Sequence, residues 1–522
     1  MIKLMTRPSR SRIALFVLGF VVATPAVSAQ APLRYTVDLD DRADHQFKVT
    51  LRVDSLPAAS DVFQFAATAP GTYEIMDIGR FVRRFEVFDG AGRALAAEHA
   101  AVNEWRIAEP QRVREIRYSI AETIDAPVTE NPVYPMCGSA LRADHALING
   151  QAVFGFPRGL QSARISVTLA RPRSWLVGTS LRPRGQSYEA DDYDQLVDSP
   201  ILAGDLTVAR LVVTGVPVEV YAYSPDHVIT AAQLLGAMRS MLTSAGEFLG
   251  TLPVDRYTFL YRFLKPAIPI NGAWEHSYGS EYAINEAPYS EQFGKRVTDM
   301  AAHEFFHVVT PLNLHSEIIE HFNFQTPVPS RHLWLYEGAT EWAANKMQLE
   351  SGLKTPPEYL SAMLQKARMD RFGFDTTWSM QKIALASYSD SGQRQYPNVY
   401  QRGALVAGLL DIRLLELSGG KHGLRDLIAD LGRTYGKKRA FPDDSLFDII
   451  AARTSPAVLD FFDRYVQRAE TLPLREYYAK IGVRVVEDER GVPVRFEIDS
   501  SATGDQLRLR RAWLGAKASP VP

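Results

Sequence analysis

Met300-Ala301-Ala302-His303-Glu304-Phe305-Phe306-His307-Val308 is a His-Glu-x-x-His stretch set among apolar residues. On an α-helix, residues four apart share a face. His303 and His307 can therefore aim two imidazoles at one ion from a rigid element. Glu304 lies about 100° round the helix from His303, within reach of a water on that ion. Neutral imidazole suits zinc, and a hydrolytic zinc site keeps one position for water. Manganese and cobalt can occupy similar sites. Two histidines do not complete a site, so the rest of the chain must supply a third ligand, substrate groups and a scaffold.

The third ligand is expected to be an acid on a neighbouring helix, and Trp334-Leu335-Tyr336-Glu337-Gly338-Ala339-Thr340-Glu341-Trp342 offers one. Glu337 sits in an apolar, aromatic run. A buried charge there is costly unless it is paired or bound to a metal. Glu341 falls one turn later on the same face, where a carboxylate can accept the free ring N–H of a zinc histidine and fix its tautomer.

The 522 residues are enough for three or four domains. Hydrophobic content is 46%, charged content 23% and net charge −2, which gives no sign of a nucleic-acid partner. The N-terminus reads as a signal peptide, 1–29. Lys3, Arg7, Arg10 and Arg12 precede a short apolar run, and Val27-Ser28-Ala29 is a small-residue cleavage site. Cleavage after Ala29 removes four basic residues and no acids, taking the charge from −2 to −6. It would leave an exported or periplasmic protein with no membrane span. Cys137 is the only cysteine, so it has no intrachain disulfide partner; it reads as a structural or incidental thiol.

From Tyr35 to Val213 the apolar pattern alternates, as in Phe47, Val49, Leu51 and Val53. Period two marks half-buried strands. Asp89-Gly90 and Asn149-Gly150 read as turns between them. An antiparallel β domain is expected over 30–215, with no obvious chemistry of its own. Thr214-Gly215-Val216-Pro217 reads as its boundary. A long helix is expected over 229–249, a buried strand over 257–263, the zinc helix over about 296–309 and a second helix over 333–350. The signals from Thr355 onward are helical, beginning with a Thr-Pro-Pro-Glu capping box. The catalytic part is therefore placed at 216–354 and a helical domain at 355–482. A short β and tail segment is placed at 483–522. His315, His321 and His332 lie in the connection between the two zinc helices and read as solvated loop residues.

His-Glu-Phe-Phe-His, followed by Glu337 in a Leu-Trp-x-x-Glu-Gly-x-Thr context, resembles the glycyl aminopeptidase family of zinc metallopeptidases. The resemblance extends to Ala69-Pro70-Gly71-Thr72-Tyr73, Gly79-Arg80-Phe81-Val82, Ala146-Leu147-Ile148-Asn149-Gly150 and Tyr400-Gln401-Arg402-Gly403. It covers roughly residues 35 to 480. It implies a multidomain α+β architecture with a thermolysin-like catalytic domain between the β and helical domains. It implies that His303, His307 and Glu337 hold Zn2+, with Glu304 as general base. Gly272-Ala273-Trp274-Glu275-His276 resembles the Gly-x-x-Glu segment of related aminopeptidases, in which the Glu binds the substrate's α-ammonium. Tyr400 matches the tyrosine that donates to the oxyanion, and Tyr396 is its rival.

Two departures stand out. The segment after His307 is Val308-Val309-Thr310-Pro311-Leu312-Asn313, where many relatives carry Trp-Asn and a basic run. Only about 40 residues follow Gly482, too few for the PDZ domain that often ends the family. The expected function is zinc-dependent removal of small N-terminal residues from peptides. An endopeptidase on the same scaffold, a non-catalytic peptide-binding protein and a zinc hydrolase acting on another substrate remain open, as does the oligomeric state.

Overall fold

The computed structural model describes residues 32–124, 130–268 and 271–515. The expected signal peptide, 1–29, lies outside the described residues. Among those described, no helix is long and apolar enough to cross a membrane.

Strict alternation builds the first half. Leu33–Asp38 buries Leu33, Tyr35 and Val37 and turns the residues between them outward. Gln46–Arg52 pairs antiparallel with it, placing Tyr35 opposite Leu51 and Val37 opposite Val49. Val113–Ala121 and Val82–Asp89 extend the same sheet, which has eight strands among the described residues. Two four-stranded sheets accompany it. One pairing departs from the expected antiparallel pattern: Leu33–Asp38 runs parallel to Ile165–Ala170. Such a pair needs a long crossover, and residues 39–164 provide it. A packed aromatic cluster of Phe63, Phe65, Phe85, Trp105 and Tyr118 fills part of this core.

Asn149-Gly150 falls between two strands, as expected, and opens a buried helical turn, Gly150–Val153, in which the Asn149 amide donates to the Met136 and Gly138 carbonyls. One expectation changes here: Thr214-Gly215 is not a boundary. It is the tight turn between Thr207–Val213 and Val216–Tyr223, which pair along their whole length in the second region's sheet. The change of sheet therefore falls before Thr207. Both turn residues have positive φ (47° and 86°), so the sequence signal is genuine but marks a hairpin.

That sheet has five strands, in the order Thr207–Val213, Val216–Tyr223, Tyr257–Leu264, Gly279–Asn285 and Gly272–His276. Tyr257–Leu264 is buried on both faces, as expected of a mostly apolar strand in the middle of a sheet, and Thr258 and Arg262 are buried with it. One face packs on the β domain through Leu147, Leu202, Tyr221 and Leu260. The other carries helices Ala231–Leu249 and Glu291–Phe306. Ala231–Leu249 begins with a Thr230/Gln233 capping box and ends at Gly250 (φ 73°).

The helical region shares one apolar core with this sheet, continuous from Val213 to Leu514. Its centre is Asn398–Leu417, most of whose residues are buried. The last segment is more ordered than a tail. A hairpin of Val483–Glu487 and Pro493–Ile498 leads to helix Gly504–Leu514, which opens with a Thr503/Gln506 capping box. Trp513 is buried, and its carbonyl accepts from the Lys346 ammonium on the back of the Thr340–Glu350 helix. The helix is illegible in the sequence because its charged residues mask a short apolar stripe of Leu509, Trp513 and Leu514.

Candidate active site

Helix Glu291–Phe306 is capped by Ser290, whose hydroxyl accepts from the Phe293 N–H. It starts five residues before the expected point and ends earlier, with His307 as its C-cap residue. The helical spacing survives to that point, so His303 and His307 still converge. Their Nε2 atoms lie 3.1 Å apart. His303 donates from Nδ1 to Glu341 Oε2 at 2.8 Å, and His307 donates from Nδ1 to the Thr310 carbonyl at 3.0 Å. With both Nδ1 protons so engaged, the two Nε2 lone pairs face a common point.

Glu337 lies in a π-helical turn, Trp334–Ala339, that leads into helix Thr340–Glu350. Such turns widen a helix locally and recur at functional sites. This one turns Glu337 towards the histidines: Oε2 is 3.4 Å from His303 Nε2 and 3.5 Å from His307 Nε2. That oxygen is buried and, among the described residues, has no hydrogen-bond partner. A buried carboxylate oxygen left in this way would be costly, and a cation among the three ligand atoms removes the cost. The donor set therefore fits a metal ion.

The outer groups are in place as well. Glu341 accepts from His303, Asn345 and the Lys366 ammonium, the last at 2.8 Å. Burial opposes its ionisation, but Lys366 and His303 outweigh burial and hold its carboxyl well below the usual range. Burial, with Glu337 nearby, pushes Glu304 up to about 7 against the pull of His303. A carboxylate near neutrality is well matched to taking and returning a proton. Tyr396 donates to Glu337 Oε1 at 3.1 Å, and Tyr400 makes a long 3.4 Å contact to the Tyr396 hydroxyl. Tyr396 is thus committed to the carboxylate, which leaves Tyr400 the freer hydroxyl.

Glu275 comes from the sheet edge strand Gly272–His276. One of its oxygens lies within 4.8 Å of ligand atoms of Glu304 and His307. Burial raises its carboxyl well above the usual range, and Glu337 and Glu304 add to the effect. A cation beside it would reverse that. Ala273 lines the same cavity of about 280 Å³. Gly272 instead receives Met136, since a Cβ there would stand 2.0 Å from the methionine Cε.

The β domain contributes to the site, contrary to the reading that it carries no chemistry. Gly71, Thr72, Tyr73, Tyr134, Met136 and Cys137 all line the cavity. Cys137 is buried, and its thiol is pushed up by burial and by neighbouring carboxylates, so it is not an activated nucleophile. His321 is exposed as expected, but His315 and His332 are buried. His332 Nε2 bonds the Asp443 carbonyl at 2.6 Å, a structural role that sequence spacing gives no means of seeing.

Residues 34–205 match the Peptidase M61 N-terminal domain, and residues 296–406 match the M61 glycyl aminopeptidase model. The two lie in the expected order and together span more than half of the chain. The chain belongs to the M61 glycyl aminopeptidase family. It is therefore a peptidase of a metallopeptidase family, and the second match contains His303, Glu304, His307, Glu337, Tyr396 and Tyr400. Glu275 falls between the matched parts of this M61 peptidase. Comparison with curated proteins returned no match. An aminopeptidase N family protein from Idiomarina loihiensis, known from its crystal structure, superposes with a TM-score of 0.78 at 20% identity, over 90% of this chain and 82% of its own. At that identity the likeness establishes the fold.

Proposed function

We propose that this M61 peptidase is a zinc-dependent aminopeptidase. The observation that carries the reading is the arrangement of Glu275 beside the three-residue metal group, within 4.8 Å of Glu304 and His307. Ligands 2.0–2.1 Å from a tetrahedral zinc stand about 3.3–3.4 Å apart. The 3.1, 3.4 and 3.5 Å separations among His303, His307 and Glu337 support that ion. When bound, zinc would acidify a water and polarise the scissile carbonyl.

The chain's own groups have separate tasks in this reading. Glu275 pairs with the substrate's α-ammonium and so fixes the distance from the N-terminus to the reacting carbonyl. Glu304 accepts a proton from the attacking water and returns one to the leaving amine. Tyr400 donates to the carbonyl oxygen as it gains negative charge. Tyr396 and Glu341 hold Glu337 and His303 in orientation. The small cavity supports a preference for peptides with small N-terminal residues such as Gly and Ala. The basic, apolar and small-residue pattern of 1–29 supports export.

A panel of aminoacyl p-nitroanilides, assayed with and without a chelator, tests the reading. Hydrolysis of the glycyl and alanyl members, lost with chelator and regained with zinc, is expected. Glu304→Gln should keep its zinc and lose turnover. Undiminished turnover in that variant would remove Glu304 from its assigned role.

A further inference from the structure

The loop 69–73 reaches out of the β domain into the cleft between Glu275 and the tyrosine pair. Its path is held from both sides. Ala67 and Thr68 donate their N–H groups to the Phe324 carbonyl at 2.8 and 3.2 Å, and Gln325 returns a side-chain bond to the Phe65 carbonyl at 2.8 Å. On the other side, Gln393 Nε2 donates to the Tyr73 carbonyl at 2.6 Å. The Tyr73 ring packs 5.1 Å from Tyr396 and 5.8 Å from Tyr388. Tyr73 has φ +50°. A bulky residue in the left-handed region is strained, and such strain persists where surrounding structure imposes it, often at ligand sites.

Gly71 makes the decisive contact. A Cβ on it would stand 2.7 Å from Glu275 Oε1 and 2.8 Å from Trp274 Nε1. The Glu275 carboxylate is therefore enclosed. Glu304 and His307 lie within 4.8 Å on the side of the metal group, and backbone at Gly71 lies against Oε1. Gly71 thus closes the side of Glu275 that faces away from Glu304 and His307.

We propose that the loop 69–73 is the end wall of the substrate groove. Gly71 seats Glu275 for the ammonium, and Tyr73 blocks the position that an acyl group or a further residue would take. Restriction to free N-termini then comes from the β domain as well as from the Glu275 charge. This inference rests on the aminopeptidase reading above.

The test uses the full-length, zinc-loaded chain with alanyl-p-nitroanilide and its N-acetyl counterpart. Gly71→Ala pushes into the Glu275 carboxylate. It should raise KM for the free-amine substrate at least tenfold, with kcat changed less than threefold and zinc content unchanged. A loss of fold would instead lower zinc content and active fraction together. Tyr73→Gly opens the wall and suits the positive φ. It should raise the rate on the N-acetyl substrate, relative to the free one, at least tenfold. If the parent hydrolyses both substrates equally, the aminopeptidase reading itself fails. If the parent discriminates but Gly71→Ala keeps KM within twofold, the wall is wrong, whatever Tyr73→Gly does. An unchanged substrate ratio in a folded Tyr73→Gly also overturns the stop assigned to Tyr73.

Discussion

Glu341→Gln isolates what the carboxylate behind His303 contributes. The wild-type group accepts the His303 Nδ1–H at 2.8 Å and faces the Lys366 ammonium at 2.8 Å, with all three side chains largely buried. A hydrogen bond to a charged partner contributes about 1.5–3 kcal/mol. Glutamine keeps the shape and can still accept, but it removes the charge that makes the imidazole a better donor to a metal. Loss of such a partner typically weakens metal binding 10- to 100-fold, which is about 1.4–2.7 kcal/mol. Lys366 also loses its carboxylate and keeps a contact to the Tyr400 carbonyl at 3.1 Å. Competition for zinc against a chromogenic chelator gives the dissociation constant directly. Activity measured against free zinc should show the same displacement, with little change at saturating metal. A dissociation constant within twofold of the parent's would refute the reasoning.

Three further outcomes follow from particular contacts. Tyr400→Phe should lower kcat about 100-fold, the usual cost of one oxyanion donor, with zinc affinity little changed, whereas Tyr396→Phe should weaken zinc binding because its hydroxyl holds Glu337; steady-state kinetics and zinc titration would show the opposite pattern if the two roles are reversed. Gly338→Ala should destabilise by about 1–3 kcal/mol, because its Cβ would stand 2.5 Å from backbone at Gly403, whereas Gly236→Ala has open space and should gain up to about 1 kcal/mol from helix propensity; chemical denaturation measures both. Burial raises Glu74 to about 8 from 4.5, so the native state keeps a proton that the unfolded chain releases, and stability should fall as pH rises from about 4.5 to 8, by no more than about 5 kcal/mol. Glu74→Gln should flatten that slope and be the more stable protein at pH 8.5, and parallel melting profiles against pH would count against it.

Some of this is legible in the sequence because the physics is local. The i, i+4 histidines share a helix face however far the helix runs, so an error in its ends does not move the site. Glu337 and Glu341 stand out because charges in an apolar, aromatic run need partners, and the structure supplies partners for both. The long helix ended by Gly250 and the buried strand at Tyr257 are readable from period and length. What is not readable depends on contacts distant in sequence. Nothing near Gly71 announces that Glu275, about 200 positions away, lies against it. The Thr214-Gly215 signal is the same whether a turn joins two strands or two domains, and only the strand pairing decides. His315 and His332 read as solvated because the segment around Phe441 and Asp443, more than 100 positions downstream, packs against them.

The central claim is that a metal group and an ammonium anchor act together on the N-terminal residue of a peptide. It is tested most directly by mass spectrometry on a matched pair, one alanine-initiated peptide with a free N-terminus and the same peptide N-acetylated, each with and without chelator. The account predicts loss of a single residue from the free peptide only, abolished by chelator and restored by zinc. Internal cleavage, or equal hydrolysis of the blocked peptide, would contradict it.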